Sequence, residues 1–201
     1  MNLSVYFVTP DGADDALVLA ALRGGATAIQ LRDKTATDAE MTAQARRLIP
    51  HLTAVGVPLI VNDRVEVARA AGAAGLHIGQ GDGDPRAARA AIGPDRILGL
   101  SVEEAAHLTA MPPGVVDYVG LGPVRATATK PDHAAPIGLD GLARLTAAAP
   151  VPAVAIGGVN AADIPAIKGC GCAGIAVVSA ISAAPDPLAA TRALATAWST
   201  A

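Results

Sequence analysis

Aromatic rings are nearly absent from this chain of 201 residues, which has one Trp, two Tyr and one Phe. So few rings leave no platform on which the bases of a single-stranded nucleic acid could stack, and they leave Ala, Val, Leu and Ile to fill the core. An excess of charge of one sign is missing as well. With a net charge of −3 and its Lys and Arg scattered, the chain offers no basic face to a nucleic-acid backbone or an anionic membrane, so any anion site must be local. Long hydrophobic runs are also lacking. Mean hydropathy is +0.42, yet charged residues or Gly and Pro interrupt every apolar run before the roughly 18 residues that a membrane span needs. The first residues carry neither a basic stretch nor a long apolar one before a cleavage site, which argues against a secretory signal and for a cytoplasmic protein. The two cysteines, Cys170 and Cys172, stand in one Gly-rich turn. Two ligands do not make a zinc site, and positions this close rarely have disulfide geometry, so both read as small buried hydrophobes.

What the chain does contain is one unit repeated. Residues 3–8 form a short apolar run, and residues 14–23 carry leucines among alanines up to Gly24 and Gly25, where a helix C-cap is expected. The pattern of strand then helix recurs at 27–31 and 38–49, with Thr37 as N-cap and Pro50 as stop, and again at 58–61 and 65–71. It continues at 75–78 and 85–92, with Pro85 near the first helical position, then at 97–100 and 102–110, and at 118–121 and 139–148. Residues 154–156 with 162–168, and 174–178 with 188–198, complete the series. Eight such units, with strands apolar on both faces, predict an α/β chain forming a single (β/α)8 barrel over residues 1–201. The alternative is a doubly wound open sheet, with fewer, longer units and usually a Gly-rich turn after its first strand; Thr9-Pro10-Asp11-Gly12 is no such turn.

A barrel carries its chemistry at the C-terminal ends of its strands, and polar residues gather there. The second strand runs into Gln30, Arg32 and Lys34, which alternation places on one face. Two cations and an amide on one rim suit a diphosphate. The third ends in Asn62-Asp63-Arg64, and a carboxylate directly after a buried run calls for a partner. Arg64 is one candidate. The other is a Mg²⁺ ion shared with Asp82 on the neighbouring rim, since Mg²⁺ takes one or two carboxylates together with water and phosphate oxygens. His77, before the rim, reads as a hydrogen-bonded barrel residue, and Ser101 as both rim residue and N-cap with Glu104 as its reciprocal partner. Beyond Gly122-Pro123 a loop carries Arg125, Thr127, Thr129 and Lys130, whose hydroxyls and cations suit a phosphate or pyrophosphate. Gly158 follows the seventh strand, and Val178 and Ser179 end the eighth, at the recurrent phosphate site of such barrels. Two anion pockets are expected, one with a metal near Arg32, Lys34, Asp63 and Asp82, the other near Thr127, Thr129, Gly158 and Ser179. His107 and His133 receive no role.

Taken together, Gln-Leu-Arg-Asp-Lys at 30–34, Val-Asn-Asp-Arg at 61–64, His-Ile-Gly-Gln-Gly-Asp at 77–82, Leu-Ser-Val at 100–102, Gly-Pro-Val-Arg-Ala-Thr-Ala-Thr-Lys at 122–130, Ala-Ile-Gly-Gly-Val at 155–159 and Val-Val-Ser-Ala-Ile at 177–181 resemble the thiamine-phosphate synthase family, in family order over nearly the whole chain. The resemblance implies an enzyme that joins hydroxymethylpyrimidine pyrophosphate to hydroxyethylthiazole phosphate and releases pyrophosphate. It implies that Asp63 and Asp82 hold Mg²⁺, that Gln30, Arg32, Lys34, Asn62, Ser101 and Lys130 contact the pyrimidine pyrophosphate, and that Thr127, Thr129, Gly158, Val178 and Ser179 face the thiazole phosphate. Lys34, Ser101 and Lys130 are the expected catalytic residues. Departures are Arg125-Ala126, where the family often has an aromatic residue and Pro, and Asp33, where Glu is common. Two other readings stay open: a thiazole tautomerase using His77 as acid–base without metal, and a non-catalytic binder of a phosphorylated ligand. Whether copies of the chain form a homo-oligomer is not legible.

Overall fold

The computed structural model describes residues 1–126 and 135–201. Within them the expected alternation is realised as β1 (Val5–Val8), α1 (Asp15–Gly24), β2 (Ala28–Leu31), α2 (Asp38–Thr53), β3 (Leu59–Asn62), α3 (Val65–Ala71), β4 (Gly75–Ile78), α4 (Pro85–Ile92), β5 (Ile97–Val102), α5 (Ala105–Ala110), β6 (Tyr118–Leu121), α6 (Gly138–Ala148), β7 (Ala153–Ile156), α7 (Ile164–Gly169), β8 (Gly174–Val177), α8 (Ser179–Ser182) and α9 (Pro187–Thr200). The strands pair in parallel and in sequence order, and β8 closes on β1 through Val5 to Ile175 and Phe7 to Val177. The fold is a (β/α)8 barrel.

Strand residues alternate between two cores. Val5, Phe7, Ile29, Leu31, Val61, Leu76 and their counterparts point outward and bury under the helices, while Leu3, Tyr6, Val8, Ala28, Ile60, Tyr118, Val154 and Ala176 fill the barrel. The two tyrosines of this aromatic-poor chain both stand in that interior, edge to face with ring centroids 5.8 Å apart. Room for Tyr118 comes from its register neighbour Gly99 on β5, where a Cβ atom would lie 2.2 Å from the ring's Cζ.

Caps follow the sequence closely. Asp14 accepts from the Leu17 amide at the start of α1, Gly25 ends that helix in the left-handed conformation, and Thr37 with Glu40 forms a capping box on α2. Three expectations are corrected. Pro50 does not stop α2: the helix runs on to Thr53 because Leu48 and Leu52 are both buried on its inner face, which outweighs the one backbone hydrogen bond that proline removes. Ser101 is not a cap: it lies within β5, paired with Gly120, and α5 starts only at Ala105 behind Glu104, without a side-chain cap. The seventh helix opens with a 3₁₀ turn, Ala161–Asp163, capped by Asn160, and the short α8 is additional. Both cysteines are free; Cys172 is buried, as expected of a small hydrophobe, whereas Cys170 is only half-buried.

Candidate active site

The C-terminal rim surrounds a cavity of about 840 Å³ that descends between the strands as far as Tyr6. Gln30, Arg32, Lys34, Asn62, Asp82 and Ser101 line one arc, and Gly158, Val178 and Ser179 line the arc formed by β7 and β8. Of the residues expected in the two anion pockets, these share one cavity, while Asp63 is not among its lining residues. Thr127, Thr129, Lys130 and His133 lie outside the described residues.

The β2 rim is built by the carboxylates and hydroxyl around it. Thr9, itself buried, accepts from the Arg32 amide and donates to the Arg32 carbonyl, both at 2.8 Å. Asp11 accepts from the Lys34 amide at 2.8 Å and from the Arg32 guanidinium at 2.9 Å. Asp33 turns away from the cavity mouth and accepts from the amides of Gly12, Thr35 and Ala36 and the hydroxyl of Thr35, at 2.7 to 2.9 Å. Desolvation raises the Asp33 pKa, but these hydrogen bonds outweigh it and hold the carboxyl at about 2. The residue at the family's usual Glu position therefore organises the loop that presents Arg32 and Lys34.

Asp63 is the described non-glycine residue with a positive φ, +49°, a conformation that Asp adopts more readily than most side chains. Arg64, one of the two candidate partners left open by the sequence, does not meet Asp63. Arg64 turns outward to Asp38 at 2.9 Å and to the carbonyls of Ala36 and Asp33 at 2.6 and 2.8 Å. The Oδ2 of Asp63 instead accepts from the Lys34 ammonium and, at 2.7 Å, from the Asn62 amide. On the adjacent strand end, Asp82 Oδ2 accepts from the Gly79 amide at 2.7 Å. Among the described residues nothing donates to the Oδ1 atom of either aspartate. Two hard oxygens from neighbouring strand ends are the donor set that a Mg²⁺ ion uses when substrate phosphate and water complete its shell.

On the opposite arc, Gly157 and Gly158 have φ of +95° and +63°, and a Cβ on Gly158 would come within 2.9 Å of the Arg125 Cβ and 3.0 Å of the Ala126 carbonyl oxygen. Glycine is what lets the β6 and β7 loops meet there. Arg125 fastens the same junction by pairing with Asp163 at 2.5 Å. Partnership with that guanidinium lowers the Asp163 pKa. The departure at 125 is therefore a loop-to-loop tie, and Ser179, which lines the cavity together with Gly158, opens α8.

Sequence reading missed the cavity floor. The Gln30 amide nitrogen donates to the Tyr6 hydroxyl at 2.9 Å, the Tyr6 and Tyr118 hydroxyls are 2.7 Å apart, Tyr118 meets His77 Nδ1 at 2.9 Å, and His77 Nε2 meets Ser101 Oγ at 2.9 Å. His77 is a hydrogen-bonded barrel residue as expected, and burial, only partly opposed by Asp82, holds its pKa down at about 4. The signal that could have found Tyr6 and Tyr118 is their rarity, since two hydroxylated rings inside an aliphatic barrel need polar partners. Gln80 was also missed; its amide donates to the Ser101 carbonyl at 2.6 Å and ties the β4 rim to β5.

Comparison with known proteins bears on this arrangement. The chain is 49% identical over 200 residues to a thiamine-phosphate synthase of Azorhizobium caulinodans, with 97% of this chain and 94% of the relative covered. It is 50% identical over 193 residues to a thiamine-phosphate synthase of Psychrobacter sp., covering 92% and 90%. Among solved structures, thiamine phosphate pyrophosphorylase from Pyrococcus furiosus superposes with a TM-score of 0.90 at 34% identity, covering 98% of this chain and 96% of that one. A 3-hexulose-6-phosphate synthase, at 20% identity and a TM-score of 0.64, shares the fold. The sequence model of the family described as thiamine monophosphate synthase matches residues 5–181, from the first barrel strand into the helix that begins at Ser179, and the chain belongs to that family.

Proposed function

We propose that this chain condenses 4-amino-2-methyl-5-hydroxymethylpyrimidine pyrophosphate with 4-methyl-5-(2-hydroxyethyl)thiazole phosphate to give thiamine phosphate and pyrophosphate. Family membership supports the overall reaction, and the observation that ties it to this chain is the clustering of Arg32, Lys34, Asn62, Asp82 and Ser101 on one arc of a cavity whose far arc carries Gly158 and Ser179. One arc suits a diphosphate, the other a monophosphate.

Asp63 and Asp82 are the residues we assign to Mg²⁺, which would neutralise charge on the diphosphate oxygens and so ease the loss of pyrophosphate. Arg32, held by Asp11 and Thr9, offers a fixed guanidinium to the same oxygens. Lys34, paired with Asp63 in this structure, supplies an ammonium for the charge that grows as the C–O bond to the pyrimidine methylene breaks. Ser101 donates from its hydroxyl. The aminopyrimidine delocalises the positive charge left on the methylene, and the thiazole nitrogen closes on that carbon. No side chain acts as nucleophile. Gly158, Val178 and Ser179 hold the thiazole phosphate so that its ring faces the methylene. By family resemblance, Thr127 and Thr129 join that phosphate site and Lys130 joins the diphosphate site. His77, buried with both ring nitrogens engaged, has no free position from which to serve a tautomerase as acid–base.

The test is ³¹P NMR of purified protein with both phosphorylated precursors and Mg²⁺. Inorganic pyrophosphate and thiamine phosphate should appear one for one. Pyrophosphate without thiamine phosphate, or neither from folded protein, would refute the condensation.

A further inference from the structure

The cavity floor carries more than packing. Each hydroxyl has one proton to donate, and that limit gives the buried chain of hydrogen bonds a direction. The Gln30 amide nitrogen can only donate, so the Tyr6 oxygen accepts and the Tyr6 proton goes to the Tyr118 oxygen, 2.7 Å away. Tyr118 then gives its own proton to Nδ1 of His77 at 2.9 Å. A neutral imidazole has a single N–H, and with Nδ1 accepting it resides on Nε2, which donates to Ser101 Oγ at 2.9 Å. The Ser101 proton remains for the cavity. In the reverse order Tyr6 would accept twice and its proton would have no acceptor among the described residues, at a position that is 1% exposed, an arrangement that costs the desolvation of a buried donor. Among the described residues no buried side-chain nitrogen or oxygen is left without a partner.

We propose that Tyr6 and Tyr118 are positioning residues: through the fixed tautomer of His77 they hold the Ser101 hydroxyl as a hydrogen-bond donor to an anion at the β5 rim. That this anion is the diphosphate rests on the function proposed above; the direction of the chain does not. The geometry is rigid because Tyr118 fills the space over Gly99 and tilts against His77 with ring centroids 5.5 Å apart. A donor set in place before the ligand arrives needs no reorganisation when charge develops.

Two readouts test this. In ¹⁵N-histidine-labelled full-length protein, with the His77 signals assigned by their loss in His77→Gln, the native protein without substrate should show the Nε2–H tautomer; a predominant Nδ1–H tautomer would overturn the direction, whether or not the protein makes thiamine phosphate. In turnover, Tyr118→Phe should raise KM for the pyrimidine pyrophosphate about tenfold, the loss expected of one hydrogen bond to a charged group, and leave KM for the thiazole phosphate unchanged. Tyr6→Phe should raise the former about threefold in native Ser101 protein and have no further effect in Ser101→Ala protein. Equal effects of Tyr6→Phe in the two backgrounds would show that Tyr6 does not act through Ser101.

Discussion

Replacing Gly99 by Ala should damage this barrel far more than a single methyl group usually does, and its sign should reverse when Tyr118 is shortened. The added Cβ would lie 2.2 Å from Tyr118 Cζ and 2.4 Å from both Cε1 and the hydroxyl oxygen, against about 3.5–4 Å at a carbon–carbon energy minimum. The ring has nowhere to move, being fully buried and hydrogen-bonded to Tyr6 and His77. Overpacking of this kind costs about 3 kcal/mol, and displacing the hydroxyl from its partners adds about 1 kcal/mol for each bond lost. At about 2–4 °C per kcal/mol for a domain of this size, the midpoint of thermal unfolding should fall by about 6–12 °C or more. Tyr118→Ala alone should cost about 4 kcal/mol through the cavity it leaves. In that background Gly99→Ala meets no ring and gains the roughly 0.5–1 kcal/mol that Ala holds over Gly in a strand. Urea unfolding of the four proteins closes the cycle. A midpoint for Gly99→Ala within 2 °C of the native protein, or additive costs in the double variant, would refute the packing described for the barrel floor.

Other consequences concern the rim and the buried imidazole. Lys34→Ala and Asp63→Ala should each lower kcat/KM by about 10²–10³, the loss typical of a group that stabilises developing charge; near-native turnover by both would remove them from the site. Asp33→Ala deprives the Gly12, Thr35 and Ala36 amides of their acceptor, and KM for the pyrimidine pyrophosphate should rise several-fold as Arg32 and Lys34 lose their fixed loop, while an unchanged KM would make Asp33 dispensable. His77 has a native pKa of about 4, against about 6.5 when unfolded. Between those values the unfolded chain binds a proton that the native chain refuses, so stability falls as pH drops from about 6.5 to 4, by up to about 3 kcal/mol, and levels off below. The difference in urea midpoint between the native protein and His77→Gln, followed from pH 7.5 to pH 4, should show that slope; a flat difference would mean that His77 is protonated in place.

Much of this architecture was legible because it rests on local rules. The strands repeat an apolar run buried on two faces, and caps such as Asp14, Thr37 and Gly25 are chemistry of one or two turns. Ser101 shows where that logic ends. A Ser three residues before a Glu fits a capping box, but the residues flanking Ser101 pair with both β4 and β6 and keep it extended, and its hydroxyl is taken by His77 from another strand. Pro50 failed as a stop for a related reason, since burial of Leu52 lies beyond any window that ends at the proline. At the site, alternation placed Gln30, Arg32 and Lys34 together correctly. For Asp63 the sequence left Arg64 and a shared metal ion open as partners, and it gave no sign of Lys34, which comes from the neighbouring strand end and is adjacent in space rather than in sequence. The Tyr6–Tyr118 contact joins residues 112 apart, and no local pattern announces it.

In the proposed reaction one metal-assisted cavity joins two phosphorylated rings. Purified protein mixed with both precursors, in Mg²⁺ or in EDTA, and followed through the fluorescence of oxidised thiamine phosphate, tests it most directly. Product that forms with Mg²⁺ and stops with EDTA is the predicted result. Equal product in both would contradict the metal assignment of Asp63 and Asp82, and no product from folded protein that still binds the thiazole phosphate would contradict the synthase itself.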